Sequence, residues 1–283
     1  MPSLHHSQIL MASFVPVLAS GIWAPSNLVR HKAGAVDVLD TRTITRVVVL
    51  IIVSATGANA VVAFDATGSG NGTTSLAWTH TPVGTPQGVF VFCMNDTNAD
   101  VFSGVTYGSA TLTLITGATD SAGEPGFTEA YFLGSSIPTG AQTVTCTVSS
   151  GSTSKSGVSI TVTANGDTQT AGTASCTVSA DATNPSCSIT SISGASFASA
   201  GFHSGLNACA NVTAGTGFTA GPCFDYGMQV TASEYATTQQ GSGDWTVAFT
   251  AGSDDVAMVG VAIQQTVADV VSGSRLSMMG VGP

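Results

Sequence analysis

From residue 61 to residue 266 apolar and polar positions alternate with a period of two. Gly, Pro, Asn-Gly or Asp-Ala punctuates the alternation at intervals of roughly 8–15 residues. Successive side chains of a strand point to opposite faces, so this pattern predicts half-buried β-strands. In 74–80, Leu76 and Trp78 share one face. Segment 88–94 is apolar on both, with Val89, Val91 and Cys93 opposite Phe90, Phe92 and Met94, which suits a central strand covered on both sides. Segments 104–108 and 110–115 read as a hairpin. Segments 128–133 and 142–148 flank the turn signal Pro138-Thr139-Gly140, and 158–163 ends at Asn165-Gly166. Further strands are predicted at 173–179, 186–192, 197–203, 206–213, 226–232, 244–250 and 255–264.

No helical heptad separates these strands and no repeat of fixed period is visible, which argues against solenoids and propellers. The expected fold is all-β, an antiparallel β-sandwich spanning 61–266, with a loosely attached tail at 267–283. Residues 1–60 form a separate N-terminal extension. Within it, Arg42 and Arg46 precede the apolar run 47–53, and Ala58-Asn59-Ala60 follows. A basic region, an apolar stretch and small residues in A-x-A order read as a secretory signal, with the mature chain beginning at Val61. An anchor, or a fully buried strand at 47–53, is the other reading of that segment.

Charge narrows the function classes. Between 61 and 266 Lys155 is the one basic residue, against thirteen acidic ones, 1 − 13 = −12. Such a body repels phosphate backbones, so nucleic acid is excluded as its partner. Only 8% of the whole chain is charged. Its solubility must therefore come from Ser and Thr hydroxyls and a few carboxylates, as in extracellular and virion-surface β-proteins.

Six cysteines, an even number, point to disulfides in an exported chain. Local pairing favours Cys176 with Cys187 and Cys209 with Cys223, leaving Cys93 for Cys146. Burial as free thiols on inward faces is the alternative. No Cys/His cluster has zinc spacing.

Candidate chemistry is sparse. His203-Ser204 invites a hydrolase reading with Asp225 or Asp244, but adjacent strand residues face opposite ways. His80 reads as structural. Asp96, Asn98 and Asp100 crowd one loop, and Asp254-Asp255 precedes the last strand. Such groups bind calcium in some sandwiches, but they also make ordinary Asx turns. Glu124 and Glu129 flank a Pro-Gly turn rather than a cleft. Trp245 and Tyr235, with polar neighbours, are the aromatics expected to face a ligand, here a glycan. No catalytic residue, no metal site and no cofactor is expected.

The segments Val105-Thr106-Tyr107-Gly108, Tyr131-Phe132-Leu133-Gly134, Ile137-Pro138-Thr139-Gly140-Ala141-Gln142-Thr143-Val144 and the closing strand 256–264 resemble β-sandwich modules of bacteriophage virion proteins and secreted bacterial surface proteins. The resemblance covers 61–266. It implies a jelly-roll-like fold, a structural or receptor-facing role and no cofactor, and it carries over no catalytic residue. The expected function is non-catalytic, structural or adhesive, on a virion or cell surface, with further copies or other surface proteins as partners. A secreted carbohydrate-binding or adhesion module is the alternative.

Overall fold

The computed structural model describes residues 62–265, apart from 121–122, 124, 150–153, 165–167, 191, 193, 206, 227–228, 241–242 and the side chains of 168–174. The extension 1–60, with its apolar segment, and the tail from 267 lie outside the described residues. Among those described, no helix is long and apolar enough to cross a membrane.

The chain is wound twice into the same sandwich. The first is built from β1 (Val62–Gly72), β2 (Leu76–His80), β3 (Gly88–Asn95), β4 (Phe102–Tyr107), β5 (Ala110–Thr111), β6 (Thr113–Asp120), β7 (Gly126–Leu133), β8 (Gln142–Val148) and β9 (Lys155–Ala164). Its inner sheet has the order β1-β9-β3-β7-β6 and its outer sheet β2-β8-β4-β5. The antiparallel pairs are nested: β1 with β9, β2 with β8, β3 with β7, β4 with β5. That nesting is the jelly-roll wind.

The second sandwich uses β10 (Thr168–Ala182), β11 (Ser186–Ile189), β12 (Ser196–Ser204), a single 3-10 turn at Cys209–Asn211, β13 (Thr213–Ala214), β14 (Phe218–Asp225), β15 (Val230–Ala236), β16 (Trp245–Thr250) and β17 (Asp254–Gln265). Its inner sheet runs β10-β17-β12-β15-β14 and its outer sheet β11-β16-β13. Taken in order, and with no counterpart to β5, this repeats the first.

The register makes the repetition specific. In the first inner sheet Gly157, Cys93 and Glu129 lie side by side across β9, β3 and β7. In the second, Gly260, Ala200 and Glu234 lie side by side across β17, β12 and β15. Each row holds a glycine pressed against a bulky side chain of its outer sheet and a buried glutamate. A Cβ on Gly157 would meet the Trp78 indole, and one on Gly260 would meet Val247.

The two inner sheets pack face to face, giving four layers. Phe92 of β3 fills the space above Gly201 of β12, and Thr128 Oγ1 donates to the Ala257 carbonyl (2.8 Å). Consequently β3, β12 and the first ten residues of β17 are buried at every position. One core lies between the sheets of the first sandwich, around Leu76, Trp78, Val91, Tyr107 and Val144. The other joins the inner–inner interface to the second sandwich, around Phe90, Phe197, Phe202, Phe249 and Met258.

The outer sheets alternate as the sequence predicts. Leu76, Trp78 and His80 are inward, with Ala77 and Thr79 exposed. Trp245, Val247 and Phe249 are inward, with Thr246 and Thr250 exposed.

Four expectations differ from the fold. The strand predicted at 206–213 is instead the 3-10 turn and the start of the two-residue β13. The strand predicted at 226–232 begins at Val230 and runs to Ala236. Strand β1 was not predicted, because glycines interrupt its alternation. Gly68 and Gly70 are there because His80 and Trp78 lie directly on them. Strand β14 carries Pro222 and a register shift between Ala220 and Cys223, and it is tolerated because it closes the edge of its sheet.

All six described cysteines are bridged: Cys176–Cys187 and Cys209–Cys223, the pairs that local spacing favours, and Cys93–Cys146, the pair left over. Three disulfides point to an oxidising, extracellular or secreted environment.

Candidate functional site

Polar side chains are buried at each sheet interface, and they fall into four groups. The first lies between the sheets of the first sandwich. The Trp78 indole N–H donates to Ser159 Oγ (2.9 Å), and His80 Nδ1 lies 2.7 Å from the same hydroxyl. His80 Nε2 lies 3.1 Å from Thr161 Oγ1, whose own hydroxyl donates to Asp65 Oδ2 (2.8 Å). With the Thr161 proton directed at Asp65, Nε2 carries a proton and donates to Thr161 Oγ1, while Nδ1 and the Gly68 carbonyl both lie against Ser159 Oγ. Burial pushes the imidazole down to about 4. His80 is a structural histidine in a satisfied chain of hydrogen bonds.

The paired glutamates form the second group. Glu129 accepts from Tyr131 Oη (2.7 Å), and burial pushes its carboxyl up to about 7. Burial and the same carboxylate push the Tyr131 phenol upward. Glu234 accepts the backbone N–H groups of Gly215 (2.8 Å) and Ala248 (2.9 Å), so it ties β15 to the outer sheet. Burial outweighs those two donors and raises it also to about 7.

The third group straddles the inner sheets, with Ser156, Thr231 and His203 between them and Lys155 and Ser204 on their far faces. Ser156 Oγ donates to Thr231 Oγ1 (2.6 Å), and the Tyr226 hydroxyl donates to the Lys155 carbonyl (2.8 Å). Lys155 Nζ donates to the Thr73 carbonyl (2.7 Å), and burial lowers its ammonium. His203 and Ser204 project to opposite faces, as expected. Ser204 Oγ donates to Asp254, with Asn207 Nδ2 donating in turn to Ser204 Oγ (2.7 Å). His203 is wholly buried, neither ring nitrogen has a hydrogen-bond partner, and burial pushes it down to about 4. His203 and Ser204 make no hydrogen bond to one another, so the hydrolase arrangement read from this pair is not assembled. Beside His203, carboxylate oxygens of Asp120, Asp181 and Asp255 converge within 4.8 Å of one another. Its hydrogen bond to Asp255 and the surrounding negative charge raise Asp181.

The fourth is a pocket of about 400 Å³ at the end of the second sandwich, lined by Thr216, Phe218, Thr238, Gln240, Trp245 and Thr246 among others. Trp245 is only 7% exposed. Its indole N–H donates to Ser196 Oγ (2.8 Å) and its edge meets Phe218. Tyr235 stacks on Phe64 with centroids 4.2 Å apart. Each of the two aromatics expected to face a ligand is thus packed against a ring of its own, and Trp245 also lines the pocket. The Asp96–Asp100 loop is an Asx structure. Asn95 Oδ1 accepts from Thr97, and Asp100 Oδ1 accepts the Phe102 N–H. Glu124 lies outside the described residues.

No family model, curated protein or solved structure matches this chain.

Proposed function

We propose that this chain is a non-catalytic structural and adhesive component of a virion or cell surface, acting in an oxidising environment. The observation that carries the reading is the chemistry of the two outer sheets. Their solvent-facing positions are almost all hydroxyls: Thr79, Ser103, Thr111, Thr143 and Thr147 on one, Ser186, Ser188, Thr246 and Thr250 on the other. Charged side chains are absent from those positions. The jelly-roll wind, repeated and closed by three bridges, gives such faces a rigid backing.

The test is to locate the protein with antibody on intact particles or cells by electron microscopy, and to treat it with a thiol alkylator before and after reduction. Surface labelling with six thiols protected until reduction is the expected result. Labelling confined to the cell interior, with alkylatable cysteines, overturns it.

A secreted glycan-binding module is the second reading, favoured by the uncharged pocket beside Phe218. Calorimetry with neutral oligosaccharides tests it, and heat abolished by Phe218→Ala is its expected signature.

A further inference from the structure

The convergence of Asp120, Asp181 and Asp255 joins the two halves of the molecule. Asp120 ends β6 of the first sandwich, whereas Asp181 and Asp255 belong to β10 and β17 of the second. The last two are directly opposite in register. Asp181 hydrogen-bonds Asp255, and Asp120 Oδ2 accepts the Val256 N–H (2.9 Å), so the three carboxylates are held together at one place. Asp120 and Asp255 are buried and Asp181 is exposed, so the cluster opens to solvent on one side.

His203 supplies a second, independent observation. Gly201 of β12 faces Phe92 of the first sandwich, so His203, two residues on, faces the same way. Gly260 faces the outer sheet, so Asp255, an odd number of residues before it, also faces the first sandwich. His203 pairs with Ala257, which makes it the diagonal neighbour of Asp255 on one face of the sheet. Its ring lies against Gly126, the register partner of Asp120. An imidazole with both nitrogens unpartnered is thus buried on the inner side of the carboxylate cluster. A buried polar group of that kind calls for a partner, either an ordered water or an ion.

We infer that Asp120, Asp181 and Asp255 bind a divalent cation, Ca²⁺ by its preference for oxygen, and that this ion clamps the first sandwich to the second. Three carboxylates supply up to six oxygens, within the 6–8 that Ca²⁺ takes. His203, on the dry side, receives a hydrogen bond from or donates one to a water on the ion, as outer groups at metal sites do. Extracellular calcium modules bind with Kd of about 10⁻⁴–10⁻³ M, which suits an ion taken up outside the cell.

The experiment is thermal unfolding of the protein in EDTA and in 5 mM CaCl₂, for the wild type and for Asp181→Asn, with Ca²⁺ binding followed by calorimetry. Ca²⁺ should raise the wild-type Tm by roughly 2–9 °C. Asp181→Asn relieves repulsion and removes a ligand, so its effect should change sign. It melts above the wild type in EDTA and below it in Ca²⁺, with binding weakened at least tenfold. This crossover cannot come from a variant that merely folds poorly. Three results overturn the proposal: no heat and no Tm change with Ca²⁺, an Asp181→Asn protein that responds to Ca²⁺ like the wild type, or one that is more stable than the wild type under both conditions.

Discussion

In the first sandwich a single bridge, Cys93–Cys146, links inner strand β3 to outer strand β8 through the middle of their shared core. In the second, the position equivalent to Cys93 is Ala200. There two short-range bridges do the stapling, Cys176–Cys187 from inner strand β10 to outer strand β11 at the border of the core and Cys209–Cys223 from the 3-10 turn to the edge strand. The glutamates differ in the same spirit. Glu129 is answered by a tyrosine side chain, Glu234 by two backbone amides of the outer sheet. The wind and the glycine–small–glutamate row are common to both. The strands that carry the inner-to-outer bridge, and the length of chain it closes, are not. Topology is therefore maintained by strand pattern, while each sandwich meets its cross-sheet connection with whatever residues lie at hand.

The disulfides separate the halves most strongly. Cys93–Cys146 closes a span of 53 residues, against 11 and 14 for the other two. In the chain-entropy account the first is worth about 4 kcal/mol and each of the others about 3. Paired Cys→Ala variants, compared by chemical denaturation, should lose stability in that order. Equal losses would show that loop length is not what distinguishes the halves.

Protonation comes next. Glu129 and Glu234 sit at about 7 in the fold, against 4.5 unfolded, so their contribution is complete below about pH 4.5 and is lost as pH rises through 7. His80 and His203 sit at about 4, against 6.5, so theirs is complete above about 6.5 and is lost as pH falls through 4. The two pairs oppose one another and leave these four groups nearly neutral to pH between about 4.5 and 6.5. Glu129→Gln keeps an acceptor for Tyr131 and removes one of the descending contributions. Its unfolding free energy should climb by on the order of 2–3 kcal/mol across that window. Glu234→Gln should give the same slope on a lower baseline, because an amide nitrogen cannot accept from Gly215 or Ala248 and one buried N–H is left without a partner. Denaturation at several pH values reads both, and wild-type slopes in the two variants would refute the assignment.

The smallest difference concerns the equivalent glycines. Gly157→Ala sets a methyl against Trp78, whose indole is fixed by Ser159, and Gly260→Ala sets one against Val247, which is smaller. Both should cost about 1–3 kcal/mol, the first more than the second. Thermal melts of the two variants decide the order.

Much of the fold was legible because alternation is a local property. Strands β3, β8 and β17 are read directly from their side chains. Strand β1 was hidden by glycines whose purpose, room for Trp78 and His80, lies in another strand. The repeat was hidden because equivalent residues sit 103, 107 and 105 positions apart at Gly157/Gly260, Cys93/Ala200 and Glu129/Glu234, and Cys has become Ala. Trp245 is nearly buried while its sequence neighbours Asp244 and Thr246 are exposed, because the alternation of the outer sheet turns the indole inward to the pocket wall. Of the carboxylate cluster only Asp255 carries a local signal, in the pair Asp254-Asp255, since the members come from three strands and two sandwiches.

The nested pairing has a mechanical corollary. Val62 lies beside Ala164 and Thr168 beside Gln265, so each sandwich is entered and left at one end of a single antiparallel pair. Tension applied at 62 and 265 therefore pulls these pairs apart crosswise, one rung after another, rather than shearing all rungs together. Peeling in the first sandwich stops where Cys93 meets Cys146, leaving everything between them untouched by the load. The second sandwich has no such stop, because its bridges span only neighbouring segments. Stretched in an oxidising medium, the molecule would pay out most of its length from the C-terminal half and hold its N-terminal half as a locked remainder.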